Sequence, residues 1–360
     1  MRPRAFFDQP LVLVLSLLIV AVPAAAEAPR PQPHGLNPPP FMMPQLSSGV
    51  PSIQALTLSG THTVYAGSFG MGVFRSDNRG DSWVPVNEGI ADRFVLCLAT
   101  ADDGTVYAGT FRSGVFESRD GGKSWQTINH GLKRLEIKAL LIHSGIIYAG
   151  TADGLYRRSL HGDQWRVVTT GLDDTLVHSI AVAPERSMYV GTSGQGIYRY
   201  ENKPHVEGWT RLSHGLVDHE GLVENFIRVV AIDKDSALYA GTFDGGVFLS
   251  TDAGKHWRPI SRALPNDSIR GIVTNDKGLF VATGRGVFKS SDQGRQWTPI
   301  NRGLTELSVQ VLVYSGAGSL YAGTSGGIFR SDDDGNNWVG ISSGLQADQT
   351  EPESPERKRP

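Results

Sequence analysis

Four residues that carry or can acquire positive charge, Lys138, His178, Arg228 and Arg270, each follow an apolar residue at one place in a repeated stretch. The column continues as Gln54, Leu96 and Gln310 in the remaining copies, and its neighbours are apolar or small, as in Ile137 and Ala139 or Ile269 and Gly271. Cations gathered in a partly enclosed ring focus potential on an anion. The guanidinium fork suits a carboxylate or a phosphate. The column therefore points to recognition of an anionic group, with Gln54 and Gln310 as its neutral members. The competing reading is that these long side chains pair with nearby acids, Glu136, Glu224 or Asp267, as surface charges commonly do. Phe69, Met71, Phe111, Arg112, Phe243, Asp244 and Arg285 lie in short turns expected on the same face. Apolar rings in tight turns more often pack than bind. Phe69, Phe111 and Phe243 at equivalent places nevertheless mark a candidate patch for a protein partner.

The elements that position this column recur around one phrase, Ser-x-Asp-x-Gly-x-x-Trp. Its copies run through Ser76, Asn78, Gly80 and Trp83; Ser118, Asp120, Gly122 and Trp125; Ser250, Asp252, Gly254 and Trp257; Ser290, Asp292, Gly294 and Trp297; and Ser331, Asp333, Gly335 and Trp338. Two worn copies end at Trp165 and Trp209, so all seven tryptophans occupy one repeat position. The Ser and Asp side chains are expected to accept backbone N–H groups two or three residues on and hold a tight turn. The glycine supplies a conformation that a Cβ would oppose, and the indole N–H needs an acceptor. A calcium loop would require an acidic ligand at its far end; none follows here, and Leu160 replaces the Asp in the third copy. No metal is expected.

The tryptophans are spaced by 42, 40, 44, 48, 40 and 41 residues. A period of this length with four short strands per unit predicts propeller blades. The fold class expected is all-β: a single seven-bladed propeller of four-stranded antiparallel blades. First and third strands run one way, second and fourth the other. The repeat turns then lie on one face, and the column lies at the channel mouth on the opposite face. Five connections from Trp to the next blade span twelve residues, whereas Trp209 to Ile227 spans eighteen. The extra residues, 217–224, form a candidate recognition loop or a neutral insertion. Residues 44–50 resemble a fourth strand, as do 339–345, so one of them is surplus and could latch the ring.

The repeated phrase resembles the Asp-box, or BNR repeat, over residues 41–345. That family includes sialidases, xyloglucanases, sortilin-type receptors and photosystem II assembly-factor propellers. The resemblance implies a propeller and leaves enzymes and binders both open. Sialidases hold a substrate carboxylate with three arginines, which Arg93, Arg228 and Arg270 could imitate, but the Arg-Ile-Pro opening is missing and typical sialidases have six blades. Xyloglucanase-like enzymes pair two propellers. Glycoside hydrolysis needs two carboxyls facing one pocket; the column contains none, although Glu136 and Glu224 are near. The preferred expectation is a non-catalytic binding or scaffold propeller, resembling the assembly-factor members. A glycan-active hydrolase is the alternative, and a purely structural module a third reading.

Lys plus Arg number 34 against 36 Asp plus Glu in 360 residues. No bulk basic field is present to hold nucleic acid. No cofactor fingerprint appears: glycine-rich turns serve hairpins and none opens a helix. The single Cys97 reads as a small buried hydrophobe. Arg2 and Arg4, an apolar run from Leu11 to Val22 and Ala24-Ala25-Ala26 describe a secretory signal peptide over 1–26; an uncleaved anchor is the other reading. A proline-rich tether over 27–40 and a disordered tail over 346–360 complete the domain reading. The mature chain is expected to be a periplasmic or extracellular monomer that recognises a protein partner or an anionic ligand.

Overall fold

The computed structural model describes residues 49–346 apart from 169, 170, 173, 174, 185, 186, 204, 205, 218–224, 263, 266 and 267. The expected signal peptide, tether, tail and most of the long loop lie outside these residues. Among the described residues the chain forms seven four-stranded antiparallel sheets and no helix. Each sheet is a meander of four consecutive strands. The first comprises Ile53–Ser59, Thr63–Ser68, Gly72–Ser76 and Val84–Pro85; the last comprises Val309–Tyr314, Leu320–Thr324, Gly327–Ser331 and Val339–Gly340. The protein is a seven-bladed β-propeller.

Second strands such as Val106–Thr110 and Leu238–Thr242 are buried at every residue because both faces meet neighbouring blades. Blades approach closely where small residues allow it. A Cβ on Gly323 would fall 2.7 Å from the Ile53 side chain of the first blade. Six of the seven fourth strands are two residues long, which leaves little unpaired edge; the exception is Val206–Arg211.

The repeat turn is locked by side chains. In the second blade Ser118 Oγ donates to Asp120 Oδ1 at 2.8 Å and accepts Gly122 N–H at 2.8 Å, while Asp120 Oδ1 accepts Ser124 N–H at 2.9 Å. The backbone N–H bonds here reach four residues on because the turn is a wider loop than a single Asx turn; in other copies Asp252 and Asp292 N–H also donate to Ser250 and Ser290 Oγ two residues back, as expected. The Ser124 hydroxyl and N–H donated to Asp120, with the Ser118 hydroxyl, hold its pKa down to about 2. Asp292 and Asp333 are lowered by the same kind of contacts. A depressed carboxylate stabilises the fold above its unfolded pKa of about 4 and loses that contribution as pH falls through its folded pKa. The chain should therefore lose stability between pH about 4 and 2, and D120N, D292N and D333N together should flatten that limb of the urea midpoint against pH.

The tryptophans also join blades. Each indole Nε1–H donates to a carbonyl of the preceding blade: Trp125 to Val86, Trp165 to Ile128, Trp209 to Val168, Trp257 to Leu212, Trp297 to Ile260 and Trp338 to Ile300. The ring closes by the same device, with Trp83 Nε1–H donating to Ile341 O at 2.6 Å. Around that junction Arg79 pairs with Asp332 at 2.7 Å and Arg330 with Asp81 at 2.9 Å. Val339–Gly340 supplies the fourth strand of the last blade. Of the surplus copy only Gly49 and Val50 are described, and Val50 packs into the core shared by the first and last blades.

Candidate functional site: the bulge column of the channel

In every blade the innermost strand slips by one residue against its neighbour. The residues skipped are Gln54, Leu96, Lys138, His178, Arg228, Arg270 and Gln310. A β-bulge re-aims the extra side chain and tightens local twist. The column found by aligning the repeats is therefore a sevenfold ring of bulged residues on the innermost strands. The bulge itself carries no sequence signature beyond the polar intruder between apolar neighbours.

The ring is more enclosed than an open rim. Lys138 is 4% exposed, Arg228 7%, and Gln54 and Gln310 1% each. The four basic positions are close enough to act on one another. Burial, then Lys138 and Arg228, push the His178 pKa down to about 3, so the imidazole is neutral near pH 7. The ring therefore has three standing cations, not four. Burial, then Arg270, push Arg228 down to about 10. Burial also lowers Arg270.

Their partners are mostly neutral. Arg228 Nη1 donates to Ser268 Oγ at 3.0 Å and Arg270 Nη1 to Ser308 Oγ at 2.9 Å, each reaching the following blade. Gln54 Nε2 donates to Ser52 Oγ, and Gln310 Nε2 to Ser308 Oγ. Lys138 is ion-paired with Glu136, as the competing sequence reading anticipated. Glu224 and Asp267 lie outside the described residues. Among the described residues no carboxylate pairs with Arg228 or His178.

The turns between second and third strands share this face, as expected. Gly70 and Gly72 N–H groups donate to Arg93 O of the next blade, and Gly194 and Gly196 to Asn225 O. Arg93 sits in this connection and not in the bulge column. Phe111 and Phe243 serve as platforms for cations, and Phe69 packs against another ring. Phe243 lies 5.1 Å from the Arg228 guanidinium, Phe111 5.8 Å from Lys138 Nζ, and Phe69 packs edge-on to Phe94 at 4.7 Å. Arg112 stacks over both Phe94 and Phe111, at 5.2 and 5.7 Å. Arg285 is exposed beside its turn.

Sequence reasoning missed the apolar rim. Leu135, Phe226 and Leu307 are 39%, 55% and 42% exposed, and each stands one or two residues before an innermost strand. An apolar residue in an otherwise polar connection was the available signal. Leu135 borders a cleft of about 480 Å³ walled by Phe111, Arg112, Arg134, Glu136 and Asp153. Cys97 is fully buried, and burial raises its thiol pKa.

Residues 225–357 match the family model described as the DUF6242 beta propeller domain. Among curated proteins nothing matches the chain. Among solved structures the chain is similar to the extracellular domain of the hybrid two component system BT3049 from B. thetaiotaomicron, at 18% identity and a TM-score of 0.64, covering 79% of this chain and 39% of that one. It is similar to the GH74 enzyme of Niastella koreensis at 17% identity and TM-score 0.63, covering 82% of this chain and 55% of that one. It is also similar to YCF48 bound to D1 peptide, at 15% identity and TM-score 0.62, covering 79% of this chain and 94% of that one. The chain thus spans well under two thirds of the first two neighbours and nearly all of the third. At these identities the likeness is one of fold.

Proposed function

We propose that the protein is an exported, non-catalytic binding propeller that receives an acidic segment of a protein partner, or another anionic group, on the channel-mouth face. The observation that carries this reading is the buried cation ring, in which Arg228 is shielded from water without a carboxylate partner among the described residues. An anion entering there would meet preformed, desolvated donors, which strengthens a charge-assisted hydrogen bond. The exposed Leu135, Phe226 and Leu307 give a peptide apolar footholds outside the ring. YCF48, the neighbour whose length this chain most nearly matches of the three, is recorded with a peptide bound. We read the repeated turns as Asp-boxes with a structural duty, residues 1–26 as a signal peptide, 27–40 as a tether, 41–345 as the propeller domain and 346–360 as a tail. Export fits the extracellular setting of the BT3049 neighbour. Among the described residues no helix is long and apolar enough to cross a membrane.

Affinity capture with the mature chain tests the reading. Capture of a partner should weaken steeply with salt, and R228A/R270A should lose it by at least about a hundredfold, as expected for two charge-assisted contacts. Undiminished capture by that variant would assign the partner to another surface. Turnover of xyloglucan or sialosides that vanishes in E136Q would replace binding by hydrolysis.

A further inference from the structure

Sevenfold repetition sets three equivalent positions at each junction between blades, near the repeat turns: one and five places after the tryptophan of one blade and two places before the tryptophan of the next. Between blades five and six these are Arg258, Arg262 and Arg295. They wall a cavity of about 330 Å³ that Pro259, Ile260 and Gly294 also line. At the junctions on either side the same places hold Thr210, His214 and Lys255, and Thr298, Arg302 and Asn336; no other junction has more than one arginine there.

All three arginines are exposed, and among the described residues no carboxylate pairs with them. The acids of the two adjoining repeat turns are occupied: Asp252 accepts from Ser250 and His256, and Asp292 from Ser290 and Gln296. Elsewhere on this side several cations are tied down, Arg79 to Asp332, Arg330 to Asp81, Arg119 to Glu117 and Lys277 to Asp334. Other junctions are also crossed by a third-strand arginine that caps a turn carbonyl of the next blade: Arg75 to Gly121 O, Arg199 to Ala253 O and Arg330 to Arg79 O. Blade five has the buried Leu249 at that position. Pro259 and Ile260 thus form an apolar floor under three exposed guanidinium groups.

We propose that this groove binds a phosphate monoester group. Three forked donors on two walls suit a tetrahedral oxyanion with three free oxygens better than a planar carboxylate. The cavity has room for the phosphoryl group and the stem that carries it. This site lies on a different flank from the channel ring, so the two readings stand or fall separately.

Calorimetric titration and thermal midpoints of the mature chain with inorganic phosphate and phosphoserine, against sodium chloride at equal ionic strength, test it. Both phosphates should raise the midpoint where chloride does not. R262Q and R295Q should each weaken binding about tenfold, the worth of one charge-assisted hydrogen bond. R302Q, at the neighbouring junction, should leave the response intact, and R262Q and R295Q should weaken binding by the same factor in an R228A/R270A background, which removes any anion held in the channel. Equal effects of chloride and phosphate, or full binding by R295Q, would each overturn the proposal.

Discussion

Replacing Trp83 by Ala should destabilise the propeller by about 3–5 kcal/mol, the usual cost of removing a fully buried large aromatic side chain. Trp83 is 3% exposed and belongs to the core shared by the first and last blades. Its indole donates to Ile341 O, its backbone N–H to Ser343 O at 2.9 Å, and its own carbonyl stands where a Cβ on Gly344 would fall, 2.2 Å away. One residue thus closes the ring through three separate contacts. W83F separates packing from hydrogen bonding: it keeps a ring in the core but leaves the Ile341 carbonyl without its donor, at a cost of about 1–3 kcal/mol. W297A should cost less than W83A, because Trp297 is only partly buried. Urea midpoints, with circular dichroism to follow unfolding, check the series. A loss under about 1 kcal/mol for W83A would mean that the ring is held without the indole.

Replacing Arg228 by Met should act in the opposite direction on stability while removing function. Arg228 is 7% exposed, and its depressed pKa means that the fold disfavours its charge. The folded state binds this proton more weakly than the unfolded chain. The penalty is therefore complete below about pH 10, the folded value, and is relieved as pH rises through the folded pKa toward the unfolded one. Methionine fills a similar volume without charge. Replacing buried charges by apolar groups of like size is commonly neutral or stabilising by about 1–4 kcal/mol. Loss of the stacking on Phe243 and of the bond to Ser268 subtracts from this. The net gain expected at pH 7 is about 1 kcal/mol, together with loss of partner capture. Destabilisation with capture intact would make Arg228 a structural residue. This opposition is the mark of a site kept for binding at the expense of stability.

Much of this was legible in the chain because a repeat samples one environment seven times. The Ser-x-Asp-x-Gly-x-x-Trp phrase located the turns, and its period fixed blade number and strand order. The innermost column stood out because Lys138, His178, Arg228 and Arg270 interrupt apolar neighbours. Their charge states were not legible. His178 is neutral only because burial and two flanking cations suppress its protonation, and both causes come from other blades. The role of the tryptophans was half legible. The need for an acceptor followed from the indole N–H, but the acceptor lies on the previous blade, roughly forty residues back in most copies. The phenylalanine turns read as an apolar patch; the stacking of Phe243 on Arg228 and of Phe111 on Lys138 depends on neighbouring strands and was not legible.

The sequence by itself determined the architecture, since periodic hydrophobicity and turn chemistry act over a few residues and repeat without ambiguity. Only the tertiary structure decided which charges are paired, which are desolvated and which faces are free. Those properties depend on distances between blades that are far apart along the chain, and electrostatic energy follows distance and burial rather than order in sequence.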